Sequence, residues 1–196
     1  MLGFAERCHA ELPHARQVRE MALQLFDAVG HRIGCAPEDR QTLADAALLH
    51  DVGYHINYER HHKHSFHLIQ HADLLGIAPD EQQVMAHVAR YHRGKTPRRE
   101  HDLWWELGRR TRERIRRLAA LLRIADGLDR GHAGAVDRVK VRWLDRAIRI
   151  TPVPRRTADR LRLEVWGAAR KSRLLAEVAG LPVEVVAPDG TVARED

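Results

Sequence analysis

Apolar residues recur at three- and four-residue intervals through Val18, Met21, Leu25, Phe26 and Val29, and again through Leu43, Ala46, Ala47 and Leu49, but from about residue 135 they alternate with polar ones. The first spacing buries one stripe of a helix, the second one face of a strand. A chain that carries the two patterns in separate blocks is restricted to an α+β architecture in which helices are segregated from a small sheet. Residues 1–132 are therefore expected to form an all-α bundle, and residues 133–196 a β-β-β-α-β annex.

Breaks fall at Gly30–Pro37, Gly53–Tyr58, Gly76–Pro79 and Gly94–Pro97, each rich in residues that interrupt regular structure. Pro79-Asp80-Glu81 suits the first turn of a helix running to Tyr91, and Leu103–Leu107 and Arg109–Asp126 read as a short and a long helix. In the annex, Val136–Trp143 and Ala147–Val153 read as a hairpin and Leu161–Trp166 as a third strand. Ala168–Ala179 then reads as a helix ended by Gly180 and Pro182, before a last strand Val183–Val186.

The longest apolar runs fall far short of the roughly 20 residues of a membrane helix. No basic stretch followed by an apolar one opens the sequence, so no secretory signal is expected and the default address is the cytoplasm. Cys8 and Cys35 read as two reduced thiols. A net charge of +6 favours anionic partners such as phosphates, nucleotides or nucleic acid. Trp104, Trp105, Trp143 and Trp166 read as core aromatics and the basic run Arg109–Arg117 as a solvated helix face, which leaves nucleic acid the less favoured partner.

Fourteen histidines single out the chemistry. His50-Asp51 closes an apolar helix, where a carboxylate opposes the helix dipole and calls for a compensating cation. Around it the helical reading sets His14 early in a preceding helix, His64 opening another, His92 at a helix end and Asp126 late in the last long helix. Five helices can thus converge on one imidazole- and carboxylate-rich site. Lys63 beside His64, Arg93 after His92, and Arg123 one turn before Asp126 would bring cations to it, with Arg130 a looser candidate.

The ordered set His14, His50-Asp51, His64, His92, Asp126 resembles the ligand order of the HD phosphohydrolase superfamily, an all-α fold whose members hydrolyse phosphoester and phosphoanhydride bonds. Ala46–Tyr54, His61–Ser65, Ala89–Arg93 and Leu121–Arg130 are further similar to the C-terminal HD region of the exopolyphosphatase/guanosine pentaphosphatase family. Leu163-Glu164-Val165-Trp166 and Ala169-Arg170-Lys171 carry that similarity into the annex. In that family the polyphosphate-hydrolysing site lies in N-terminal actin-like ATPase domains. This sequence opens at the HD region with no Gly-rich phosphate loop, so the resemblance does not imply exopolyphosphatase activity, and the complete ligand set implies a metal site of its own.

Position by position, the resemblance implies one divalent ion on His14, His50, Asp51 and Asp126, with Asp51 bridging to a second on His64 and His92. The ions would be Mn, Mg, Fe or Zn. It implies hydrolysis centred on Asp51, with Lys63, Arg93 and Arg123 holding phosphate, and a small phosphorylated anion as substrate: a nucleotide or a polyphosphate-like anion. His67 and His71 are left as surface or interface residues, His87 as a core residue or a support behind a ligand, and Asp129 as a support one turn beyond Asp126. The rival reading is a non-catalytic HD module that binds polyphosphate or a nucleotide and regulates a partner. A homodimer is compatible with either.

Overall fold

The computed structural model describes residues 1–98, 101, 103–157 and 160–193. Its helices are α1 (Leu2–Arg7), α2 (Leu12–Val29), α3 (Asp39–Leu49), α4 (His61–Gln70), α5 (Pro79–Arg90), α6 (Arg109–Gly127), α7 (Arg162–Lys171) and α8 (Arg173–Ala179), with a 3-10 turn at Val52–His55. The strands are β1 (Val136–Trp143), β2 (Ile148–Pro154), β3 (Val183–Val186) and β4 (Val192–Ala193). The α+β class read from the sequence is the one observed.

Helix α2 buries Val18, Met21, Ala22, Leu25, Phe26 and Val29, the stripe that the periodicity marks. The C-terminal half of α6, Leu118–Gly127, is buried on all sides, because α2, α3, α5, α7 and α8 pack around it. Its basic N-terminal half is partly engaged in ion pairs: Arg114 joins Asp39 of α3 and Glu81 of α5, and Arg116 reaches Glu177 of α8. Among the described residues, no helix is long and apolar enough to cross a membrane.

The sheet runs in the order β1-β2-β3-β4. β1 and β2 form the expected antiparallel hairpin, with Trp143 opposite Ile148, whereas β2 and β3 are parallel. Parallel neighbours need a crossover, and α7 and α8 supply it. The strand expected at Leu161–Trp166 is accordingly a helix, and the annex is β-β-α-α-β-β. Leu161, Val165, Ala168 and Ala169 are buried while Leu163 and Trp166 are exposed, so helical spacing decides the burial and the alternation of Leu161, Leu163 and Val165 is incidental. The short helix expected at Leu103–Leu107 is a series of turns, with Leu103 at φ 62° in the left-handed region that a right-handed helix excludes.

Annex and bundle share one hydrophobic core, in which Val136, Ile148, Leu161 and Leu174 join Leu25, Leu118 and Leu122. At the crossing of α6 with α7, a Cβ on Gly127 would lie 2.6 Å from the Gly167 carbonyl oxygen, and one on Gly167 would lie 2.6 Å from that of Gly127. Only glycine at both positions permits this approach. It fixes Lys171, the last residue of α7, over the end of α6.

Candidate metal and phosphate site

The ends of α3, α5 and α6 and the start of α2 meet at Asp51, where the chain leaves its helical path (φ −109°). Asp51 Oδ2 lies 3.4 Å from His50 Nε2 and 3.7 Å from His14 Nε2. Its other oxygen, Oδ1, lies 3.1 Å from His61 Nε2 and 3.4 Å from His92 Nε2. Asp126 spans the same divide, with Oδ1 3.8 Å from His14 Nε2 and Oδ2 4.0 Å from His92 Nε2. Two half-sites result. The inner one has His14, His50, Asp51 Oδ2 and Asp126 Oδ1; the outer one has His61, His92, Asp51 Oδ1 and Asp126 Oδ2.

Hydrogen bonds fix which nitrogen of each ring faces the carboxylates. His50 Nδ1 donates to the Ala47 carbonyl at 2.7 Å and His92 Nδ1 to that of Ala89 at 2.6 Å, so in the neutral ring the lone pair is on the inward Nε2. His14 Nδ1 is held at 2.8 Å by Asp129 Oδ2, whose other oxygen accepts from the Gly134 amide. Burial pushes the His50 and His92 pKa values down against the pull of Asp51 and Asp126, His92 well below the usual range. For His14, burial is outweighed by the Asp129 hydrogen bond and the charges of Asp126 and Asp51, and its pKa is raised. Asp51 and Asp126 stay ionised although burial opposes it, held well below the carboxylate range chiefly by His50 and by Lys171 respectively.

His14 Nε2, His50 Nε2 and Asp51 Oδ1 are buried with no hydrogen-bond partner. An imidazole lone pair and a carboxylate oxygen are both acceptors, so this packing is costly unless a cation or proton lies between them. His14, His50 and Asp126 present donor atoms within 4.8 Å of one another, as do His50, Asp51 and His92. The donor set fits a divalent ion.

Of the residues singled out from sequence, His14, His50, Asp51, His92 and Asp126 are brought together. His64 is not: it is half-buried one turn along α4, and His61 faces Asp51 in its place. The cause is Gly53, where a Cβ would collide with the His61 carbonyl oxygen and the Ser65 amide, while the Gly53 amide donates to Ser65 Oγ at 2.9 Å. That close approach packs the first turn of α4 against the residues following Asp51. Ile69, two turns on, marks the inward face that carries His61 and was the usable signal.

A cavity of about 310 Å³ opens above the donors. Its walls carry Arg93, Arg130, Arg170 and Lys171, with Tyr54 and Trp166 at the sides. Arg93 lines it as expected, but Lys63 and Arg123 do not. Lys63 points to solvent between the inward positions His61 and Ser65, and Arg123 is buried with its guanidinium donating to the carbonyls of Tyr91 and Gly94, where it clamps the loop bearing Arg93. Trp105 and Trp166, expected in the core, are 69% and 47% exposed, whereas Trp104 is buried. Lys171 forms an ion pair with Asp126 Oδ2. Nothing local in the sequence points to that contact, because it spans 45 residues and depends on the Gly127–Gly167 crossing.

A family model described as "Ppx/GppA phosphatase, domain III" matches residues 1–163. The chain belongs to this family. Among curated Ppx/GppA relatives, the guanosine-5'-triphosphate,3'-diphosphate pyrophosphatase of Vibrio vulnificus (strain YJ016) is 33% identical over 123 residues, 61% of this chain and 24% of that protein. The protein of the same name from Pseudoalteromonas translucida (strain TAC 125) is 30% identical over 92 residues, 46% of this chain and 18% of that protein. In Vibrio campbellii (strain ATCC BAA-1116) the figures are 30% over 119 residues, 59% and 24%. The matched stretch is thus a quarter or less of each relative's length.

Proposed function

We propose that this domain III chain is a metal-dependent phosphohydrolase of the HD type, cleaving a phosphoester or phosphoanhydride bond in a nucleotide or polyphosphate-like anion. The observation that carries the reading is the pair of buried, partnerless imidazole nitrogens, His14 Nε2 and His50 Nε2, aimed at Asp51 and Asp126 beneath a cation-walled cavity. The relatives' name, a pyrophosphatase of a guanosine phosphate, points to the same substrate class.

His14, His50, Asp51 and Asp126 would hold one divalent ion, and His61 and His92 stand where a second would be held, with Asp51 facing both. Mn²⁺, Fe²⁺ or Zn²⁺ suit the mixture of imidazole and carboxylate better than Mg²⁺, which prefers oxygen. A divalent cation there supplies a Lewis acid that offsets phosphate charge and makes water acidic enough to attack near neutral pH. Asp129 and the carbonyls of Ala47 and Ala89 orient the rings beforehand, so none has to turn on binding. Arg93, Arg130, Arg170 and Lys171 supply fixed positive charge for the phosphate oxygens. Tyr54, whose hydroxyl burial pushes up, stays protonated as a hydrogen-bond donor at the cavity wall.

The test is elemental analysis of untagged protein together with phosphate release from nucleotides, polyphosphate and ppGpp-type substrates after Mn²⁺ loading. One or two ions per chain and release that Asp51→Ala abolishes are expected. Bound metal without turnover on any substrate would instead select the binding-module reading.

A further inference from the structure

The two half-sites do not carry the same chemistry. In the inner half, the Nε2 atoms of His14 and His50 have no partner at all. In the outer half, two permanent cations are already seated. Arg93 Nη1 lies 3.3 Å from both ring nitrogens of His61, over the ring, whose Nδ1 is 3.1 Å from the Tyr58 carbonyl oxygen, and the Lys171 ammonium sits on Asp126 Oδ2. Neither cation is a loose surface group. Lys171 has a side-chain exposure of only 17%, and the glycine pair at the α6–α7 crossing fixes the helix that carries it. His61 and Arg93 touch in the cavity wall, carried by α4 and by the loop after α5 that Arg123 clamps.

A divalent ion entering the outer half would have to share a few ångströms with a guanidinium and an ammonium, a repulsion that the low dielectric of a buried site magnifies. An anion entering it gains from both.

We infer that the outer half-site is a phosphate subsite, not a second metal site: Lys171 and Arg93 take the place of a second cation, and one phosphoryl group of the substrate binds between them beside a single ion in the inner half. On this account Lys171 exchanges the Asp126 carboxylate for a phosphate oxygen when substrate arrives, a charge-assisted bond of the same kind. His61 and His92 then act as imidazole neighbours of that phosphate. The inference rests on the inner half being a metal site, as proposed above.

The metal-free 196-residue chain titrated with Mn²⁺, followed by calorimetry and electron paramagnetic resonance, tests it, with inorganic phosphate as the second probe. Wild-type protein is expected to bind one Mn²⁺ per chain, with the spectrum of an isolated ion. Lys171→Met is expected to admit a second, spin-coupled Mn²⁺ and to bind inorganic phosphate at least about ten-fold more weakly when Mn²⁺-loaded, while Lys171→Arg keeps one ion and most of the phosphate affinity. Two spin-coupled ions in the wild type would overturn the inference while leaving the hydrolase reading intact, and this wild-type measurement decides even if Lys171→Met does not fold. Unchanged phosphate affinity in a folded Lys171→Met would also overturn it. A wild-type chain that binds no Mn²⁺ stoichiometrically would defeat the metal-site reading itself.

Discussion

The inner and outer halves of the site are made in different ways. The inner half is set by α2, α3 and α6, with His50 at 0%, His14 at 1% and Asp126 at 6% exposure, and the outer-half imidazoles of His61 and His92 are buried as deeply, at 1% each. The outer half comes from helix ends and a loop: His61 opens α4, His92 and Arg93 follow α5, and Lys171 closes α7. The first has donor atoms lacking partners and charges fixed by burial. The second has a guanidinium on His61 and an ammonium on Asp126, with Asp51 Oδ1 alone lacking a hydrogen-bond partner, and opens into the cavity. Under the proposed function, a site divided in this way would separate a fixed metal cradle from the groups that exchange partners when a substrate arrives.

Asp51, which like Asp126 faces both halves, is where they depend on each other most. Asp51→Ala should lower phosphate release by about 10³-fold or more, on the order of 4 kcal/mol in the barrier, and remove stoichiometric metal. Release that survives with metal still bound would detach catalysis from this carboxylate.

His87 is an internal control for what a buried imidazole does without carboxylates. It is fully buried between Phe66 and Trp104, both ring nitrogens lack partners, and burial pushes its pKa down to about 4. The native state therefore keeps it neutral, while the unfolded chain protonates it below its ordinary pKa near 6.5. Its contribution to stability is fully present above pH 6.5 and is lost as the pH falls to 4, by about 3 kcal/mol in total. His87→Leu should flatten that part of a urea-denaturation profile against pH and leave Mn²⁺ stoichiometry unchanged. An equally steep acid loss in the variant would place the sensitivity elsewhere.

Asp129 sharpens the inner half. Asp129→Ala removes the oxygen that holds His14 Nδ1 and should weaken metal binding by about 10–100-fold, roughly 1.4–2.7 kcal/mol, without emptying the outer half of its cations. Calorimetric Mn²⁺ titration reads this directly. The smallest effect belongs to Lys63, exposed on α4: Lys63→Gln should leave both stability and phosphate release within about 0.5 kcal/mol of the wild type, whereas a substantial loss would return it to the cavity wall.

The inner half was legible in the sequence because its residues sit in or at the ends of helices whose apolar stripes announce them. Leu43, Ala46, Ala47 and Leu49 bury the turn that ends in His50, and buried Leu121, Leu122 and Ala125 place Asp126 on the half of α6 that has no solvent-facing side. The outer half was not. Choosing among His61, His62 and His64 depended on how closely α4 approaches Gly53, a packing fact that helical periodicity alone does not contain. Arg123 has the spacing for the site, yet its guanidinium is spent on the carbonyls that end α5.

The sequence alone determined the α+β class, the bundle before the sheet and five of the metal-ligating candidates. Each rests on local spacing, because burial of one face repeats with the period of the element that carries it. Only the tertiary structure decided that Leu161–Trp166 belongs to a helix, that His61 displaces His64, and that Lys171 closes the site. Those outcomes depend on a parallel crossover and on glycine-permitted contacts between α4 and the turn after Asp51, and between α6 and α7. Contacts between segments tens of residues apart leave no periodic trace in the chain that makes them.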